Sequence, residues 1–380
     1  MKKYHLLAPG PTPIPPEVLQ ALSRPILHHR TPEFEGLFER VRTGLARLSE
    51  TKSEVIVLAA SGTGAMEAAV VNLCSPGDLA IVVRCGKFGE RWADICRAFG
   101  VTVHALEAPY GDTVRAERLA DALRAHPEAR AVFATQSETS TGVLEDIEGY
   151  GRLTRASETL LAVDAVSSFG VVACPMDAWG VDVLVAGSQK GLMCPPGLAF
   201  ITLSERAWAA AERASCPKLY WDLRTERRWQ AKRQAQYTPA VSLLMGLDVA
   251  IGLILGEGLP QVYRRHERLA RGTRAGVEAL GLALFPRATP SPAVTAVVAP
   301  VGVDGEGVVR AYGEQHNITI AGGQGEMKGK IFRLAHLGYV DDSDVIVGLA
   351  ALERVLATLG LPVEYGAGMG AAQRVFAKEA

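Results

Sequence analysis

Lys190 stands in Gly187-Ser188-Gln189-Lys190-Gly191-Leu192-Met193, directly after an apolar run at 181–186 and among small and apolar neighbours. Such surroundings disfavour the ammonium form, and a lysine whose pKa is drawn down this way is a nucleophile suited to Schiff-base chemistry. The ordinary fate of a single lysine is different, with its stem on apolar surface and its charge in solvent. Asp164 bears on that choice, because it ends the preceding apolar run, 160–163, in Ala162-Val163-Asp164-Ala165-Val166-Ser167-Ser168. A carboxylate at the carboxyl edge of a buried strand can partner a cation or a ring N–H where open α/β sheets bind ligands. It can equally cap a following helix.

Two further groups bind anions by their chemistry. Ser61-Gly62-Thr63-Gly64 follows an apolar run at 55–58 and opens a helical stretch, so its N–H groups and hydroxyls can hold a phosphate. Glycines at such a turn also serve backbone geometry alone, and the segment is neither a Gly-x-Gly-x-x-Gly nor a Walker A loop. Arg333 lies inside the apolar run Ile331-Phe332-Arg333-Leu334, where a guanidinium needs an anion, either a ligand's or a structural salt bridge's.

The elements that position these groups read as α/β. Seven candidate strands, at 55–58, 79–83, 101–106, 131–135, 160–163, 181–186 and 198–202, alternate with helical stretches such as 64–73, 91–99 and 118–125. Several strands are continuous apolar runs, which fits a mainly parallel sheet covered on both faces. Before them, the proline-rich segment 9–16 reads as an extended docking arm. After them, the apolar stretch 241–255 ends at Gly256-Glu257-Gly258-Leu259-Pro260, where a break is expected. A long helix at 261–280, strands at 295–299, 318–320 and 331–334 and a helix at 343–359 follow, a smaller α+β unit. The expected division is an arm at 1–16, a large domain at 17–258 and a small C-terminal domain at 259–380, with only the last dozen residues loosely attached.

Lys+Arg 40 against Asp+Glu 41, scattered along the chain, leaves net charge -1 and no basic footprint, so no nucleic-acid partner is expected. No apolar stretch reaches the roughly 18 to 20 residues of a bilayer span, and the start of the sequence does not read as a secretory signal. A cytoplasmic protein without a membrane partner is expected. Its six cysteines, Cys74, Cys85, Cys96, Cys174, Cys194 and Cys216, have no zinc-ligand spacing and read as reduced, mostly buried thiols. No metal is expected.

A phosphate cradle, an acid and a Schiff-base lysine, in that order after strands of one α/β fold, suggest pyridoxal 5'-phosphate. The sequence resembles the class V aminotransferases of fold type I, especially the alanine–glyoxylate and serine–pyruvate group. The likeness runs from Leu7-Ala8-Pro9-Gly10-Pro11 to Arg333-Leu334-Ala335-His336-Leu337-Gly338. Its motifs are Ser61-Gly62-Thr63-Gly64-Ala65-Met66-Glu67, Glu138-Thr139-Ser140-Thr141-Gly142, Asp164-Ala165-Val166-Ser167-Ser168 and Ser188-Gln189-Lys190 with Pro195-Pro196-Gly197. The resemblance implies that Lys190 carries the cofactor, Asp164 pairs with its pyridine nitrogen, and Val166 and Phe88 pack against its ring. It implies that Thr139 bonds the phenolic oxygen, that Ser61, Gly62, Thr63 and Gln189 hold the phosphate, and that Arg333 holds the substrate α-carboxylate. Tyr237 and Thr238 would complete the phosphate site of a neighbouring subunit in a homodimer, although Ala240 follows Pro239 where the family commonly has a second proline. His28, His29 and Arg30 are expected in packing and surface roles.

The implied activity is transfer of an amino group from a small neutral amino acid, alanine or serine, to glyoxylate or pyruvate, by a ping-pong mechanism. Arg333 is the one substrate cation that the sequence places, so aspartate and glutamate are expected to be poor donors. Cysteine desulfurase is a rival within the fold, but its mechanism needs a C-terminal nucleophilic cysteine and no cysteine follows Cys216. Phosphoserine aminotransferase is another, without a cationic cluster here for a second phosphate. A non-catalytic scaffold of this fold is the third alternative, disfavoured by the presence of both Lys190 and Arg333.

Overall fold

The seven expected strands form one sheet. In the computed structural model, which describes residues 2–378, they are β1 (Val55–Ala60), β2 (Leu79–Arg84), β3 (Thr102–Glu107), β4 (Ala131–Thr135), β5 (Leu160–Asp164), β6 (Val183–Gly187) and β7 (Gly197–Leu203). Their spatial order is β1-β7-β6-β5-β4-β2-β3, with β7 antiparallel to both neighbours and every other pair parallel. Alternate residues of each strand enter opposite apolar layers: Val132 and Ala134 of β4 join one, Ala131 and Phe133 the other. Coverage of both faces explains why the strands inside the sheet lack polar alternation, whereas the edge strand β3 carries Thr102, His104 and Glu107. The β6 strand starts two residues later than expected, because the Asp182 carboxylate accepts from Leu161 N at 3.0 Å and Ser204 Oγ at 2.7 Å.

Helix α1 (Gly62–Leu73) leaves β1 at the glycine turn, and α2 (Lys87–Ala98) leaves β2. Further on, α3 (Val241–Glu257) and α4 (Leu259–Ala279) meet at 87°, with Gly258 between them at φ +87. Among the described residues no single helix is long and apolar enough to cross a membrane. Helix α4 packs under an antiparallel sheet of β8 (Val294–Val298), β9 (Ala321–Gly322) and β10 (Ile331–Ala335), ordered β8-β10-β9. The helix expected at 343–359 is present as Asp342–Thr358, opened by a reciprocal capping box between Asp341 and Asp344.

The strand expected at 318–320 is present as Ile318–Thr319 and pairs in parallel with His5–Leu6, so the arm is stitched to the far end of the chain. Of the last dozen residues, expected to be loose, 379–380 lie outside the described residues and the others are not loose: α5 (Ala367–Lys378) buries Gly368, Ala372 and Phe376. Its small residues let α4 and α5 come close, and a Cβ at Gly272 would lie 2.3 Å from the Phe376 ring. Phe376→Ala should therefore lower the unfolding free energy by about 3 kcal/mol in a urea titration. A loss below about 1 kcal/mol would restore the picture of a loosely held terminus.

Candidate active site

The site assembles where β5 and β6 end. Asp164 is the last residue of β5, and the chain after β6 folds into a tight loop that carries Lys190. Cys194 N donates to Ser188 O at 3.1 Å, Met193 N to Lys190 O at 3.0 Å, and Ser188 Oγ to Pro195 O at 2.6 Å. Gly191 is required by a close approach, since a Cβ there would lie 2.3 Å from Phe169 O. The arm covers this loop. Thr12 N donates to Gln189 O at 3.2 Å, Thr12 Oγ1 to Lys190 O at 2.9 Å, and the Lys190 amine donates to Pro9 O. Gly10, at φ +134, has no room for a side chain: its Cβ would sit 2.4 Å from Lys190 Nζ.

One cavity of about 400 Å³ is lined by Lys190, Asp164, Ser61, Gly62, Thr63, Phe88, Thr139, Val166, Gln189 and Arg333. Burial draws the Lys190 pKa down to about 8, with Asp164 pulling it up and the charges of Arg333 and Arg91 adding to the lowering. Burial pushes Asp164 up to about 6, opposed by the Val166 N–H, which donates to Asp164 Oδ1 at 2.8 Å, and by Arg91 and Lys190. Arg333, only 4% exposed, sits in mid-strand opposite Ala296 and Ala321, whose small side chains leave it space. Its Nε and Nη2 donate to Gly322 O at 2.9 and 2.7 Å, and Nη1 donates to Thr139 O at 2.7 Å. Three of its five N–H groups are thereby held, and one on each η nitrogen is left for an anion.

Tyr237 and Thr238 do not reach this cavity. They line a separate one with Phe38, Val57 and Tyr220, and Tyr237 stacks on Tyr220 at 4.9 Å between ring centroids. His28 and His29 stack on each other, and Arg30 donates to Gln234 Oε1 at 2.6 Å; none of the three lines the Lys190 cavity. Sequence reading missed Pro9, Gly10 and Gln324 of the cavity wall, and Arg91, which is concealed in an ordinary amphipathic helix. It also attached no role to Glu138. That buried carboxylate accepts from Phe88 N at 2.9 Å, Gly89 N at 3.1 Å and Ser140 N at 3.2 Å, fixing the start of α2 and with it Phe88.

The Aminotransferase class-V family model matches residues 4–332. The chain belongs to the class-V aminotransferases. A soluble hydrogenase small subunit from Synechococcus sp. is 44% identical over 98% of this chain and 98% of its own. An L-aspartate–glyoxylate aminotransferase from Paracoccus denitrificans is 40% identical over 97% of this chain and 95% of its own. A solved alanine–glyoxylate aminotransferase from Nostoc sp. superposes with a TM-score of 0.89 at 34% identity, covering 94% of this chain and 96% of that one. Membership makes this aminotransferase a transaminase dependent on pyridoxal phosphate.

The residues present fit that cofactor. Asp164 offers a buried carboxyl in need of a cationic partner. Helix α1 opens with no side chain capping it, and the buried Gln189 Oε1 has no hydrogen-bond partner among the described residues. Val166 packs so closely on Gly62 that a Cβ there would lie 2.6 Å from it, forming one apolar wall.

With a pKa of about 8, roughly one Lys190 amine in ten is neutral at pH 7, against fewer than roughly one in a thousand for an ordinary lysine. Deprotonation frees the nucleophile, so reactivity rises with pH through about 8. Trinitrobenzenesulfonate labelling of the cofactor-free protein, followed by peptide mapping, should be half-maximal at Lys190 near that pH. A half-point above about pH 10, where unperturbed lysines titrate, would contradict the burial argument.

Proposed function

We propose that this enzyme moves an amino group from a small neutral amino acid, alanine or serine, to glyoxylate or pyruvate. The carrying observation is the buried Arg333 guanidinium, with two N–H groups unspent, lining one cavity with a Lys190 amine whose pKa burial draws down to about 8. When bound, pyridoxal phosphate supplies an aldehyde for the donor's amine and an electron sink for breaking the Cα–H bond. Lys190 would anchor it, then take the proton from the substrate Cα and deliver it to the cofactor's aldehyde-derived carbon C4′, a task for a base that titrates near the working pH. Asp164 holds a cationic ring N–H through its carboxylate, and burial makes that pairing strong. Phe88 and Val166 hold a flat ring between apolar walls, Thr139 reaches its phenolic oxygen, and Ser61, Gly62, Thr63 and Gln189 receive the phosphate. Arg333 grips the α-carboxylate of each substrate in turn through its planar fork, which makes the kinetics ping-pong.

The protein is proposed to work as a homodimer, with Tyr237 and Thr238 completing the partner's phosphate site. Their distance from their own chain's Lys190 cavity supports this, as does the exposure of Leu219 and Tyr220 beside them. Six free, buried thiols suit a reducing, cytoplasmic setting. The proposed division into an arm at 1–16, a large domain at 17–258 and a small domain at 259–380 is supported by a separate apolar cluster, built mainly from Leu269 to Phe376.

In single half-reactions, L-alanine or L-serine should bleach the visible band of the loaded enzyme, and glyoxylate or pyruvate should restore it. No change with any amino acid would sink the proposal. Aspartate is the rival donor, after the name of the Paracoccus relative; a kcat/KM for aspartate or glutamate at or above that for alanine and serine would replace the proposed donor. In dilute sedimentation the loaded enzyme should run as a dimer, and an active loaded monomer would refute the shared site.

A further inference from the structure

The phosphate cradle read from the sequence contains no cation. Ser61, Gly62, Thr63 and Gln189 are neutral, and so are Tyr237 and Thr238. A phosphate monoester near pH 7 carries about -1.5 to -2 charges, and a helix N-terminus offsets only about half a charge. Roughly one negative charge is left over in a site walled by apolar side chains, where an uncompensated charge is costly.

Arg91 is placed to meet it. It stands on α2 one turn after Phe88, lines the Lys190 cavity, and donates from Nη1 to Thr63 Oγ1 at 3.1 Å. Its guanidinium carbon lies 4.8 Å from the centre of the Phe88 ring, a cation–π contact that holds it in place without supplying a counter-ion. Among the described residues no carboxylate forms an ion pair with it, and most of its N–H groups have no partner. Arg333 is engaged elsewhere, on Gly322 and Thr139, and is kept for the substrate.

We propose that Arg91 is the counter-charge of the cofactor phosphate, delivered to the cradle through Thr63 and held in place by the face of Phe88. This rests on the pyridoxal phosphate reading and adds a residue to it. One helix then supplies both the ring wall and the phosphate cation, and Glu138, which fixes the start of that helix, sets the position of both. Because Arg91 is committed to phosphate, it is not available for a second substrate carboxylate, in keeping with a neutral donor.

The test compares binding of pyridoxal phosphate and of pyridoxal, which lacks the phosphate, to the cofactor-free wild type, Arg91→Gln and Arg91→Lys, by absorbance titration. Arg91→Gln should weaken pyridoxal phosphate roughly 10- to 100-fold while pyridoxal changes less than about twofold. Arg91→Lys, keeping the charge but not the fork, should recover part of the loss and serves if the glutamine variant does not fold. Inorganic phosphate should compete against pyridoxal phosphate more weakly in Arg91→Gln than in wild type. Equal affinity of wild type and variants for pyridoxal phosphate would overturn the proposal. So would an equal loss for both ligands, which would make Arg91 a support for the ring wall. Unchanged cofactor binding with a selective loss of aspartate turnover would reassign it to the substrate. A wild type that binds neither ligand would instead sink the cofactor reading, and a wild type that binds both with no effect in the variants would sink only this inference.

Discussion

Removing the Lys190 amine from water is the constraint on which the other parts of the molecule converge. A lysine at the edge of a sheet normally extends its charge into solvent, and here three separate pieces of chain prevent that. The loop after β6 turns back on itself through Ser188, Met193 and Cys194, so the side chain leaves from a fixed point. The arm lies over it and accepts from its amine through Pro9 O. The arm is held in turn by the C-terminal part of the chain: Leu7 N donates to Thr319 O at 2.8 Å, and Ala335 N donates to Leu7 O at 2.8 Å. A change in that distant pairing would therefore reach the lysine through the arm, although it touches no part of the cavity.

Desolvation sets the charges of the site as well as its shape. Lys190 and Asp164 are pushed towards their neutral forms by the same burial, and they oppose that push in each other. A positive ring nitrogen would meet an aspartate that gains by ionising, while the amine needs little driving force to lose its proton. Arg333 is buried as well, and its carbonyl partners on β9 and on Thr139 tie the C-terminal sheet to the edge of the central one. The carboxylate grip and the proton-handling amine therefore come from different sheets, and their spacing depends on how those sheets pack.

Much of this was legible in the sequence. Most of the sheet strands stand out because strands buried on both faces must be apolar throughout, the edge strand β3 with its Thr102, His104 and Glu107 being the exception. Lys190 and Asp164 were visible as polar residues at or after the ends of such runs. Boundaries shifted where a single side chain intervened, as Asp182 does at the start of β6. The pairing of His5–Leu6 with Ile318–Thr319 was not legible, since two-residue strands give no periodic signal and their partner is some three hundred residues away. Helix α5 was missed because its buried face is made largely of Gly and Ala, which read as weak composition but serve close helix packing. Arg91 and Glu138 were missed for a common reason. A charged residue on an amphipathic helix or beside a turn looks solvent-facing, and only the fold turns it towards a cavity.

The central claim is that Lys190 alone forms the covalent link to the cofactor. Borohydride reduction of the loaded enzyme, followed by proteolysis and mass mapping, should leave the pyridoxyl group on the peptide that contains Lys190. Lys190→Ala should take no label and show no turnover, with its circular dichroism unchanged. Label on any other lysine of the wild type, or turnover surviving in Lys190→Ala, would contradict the account.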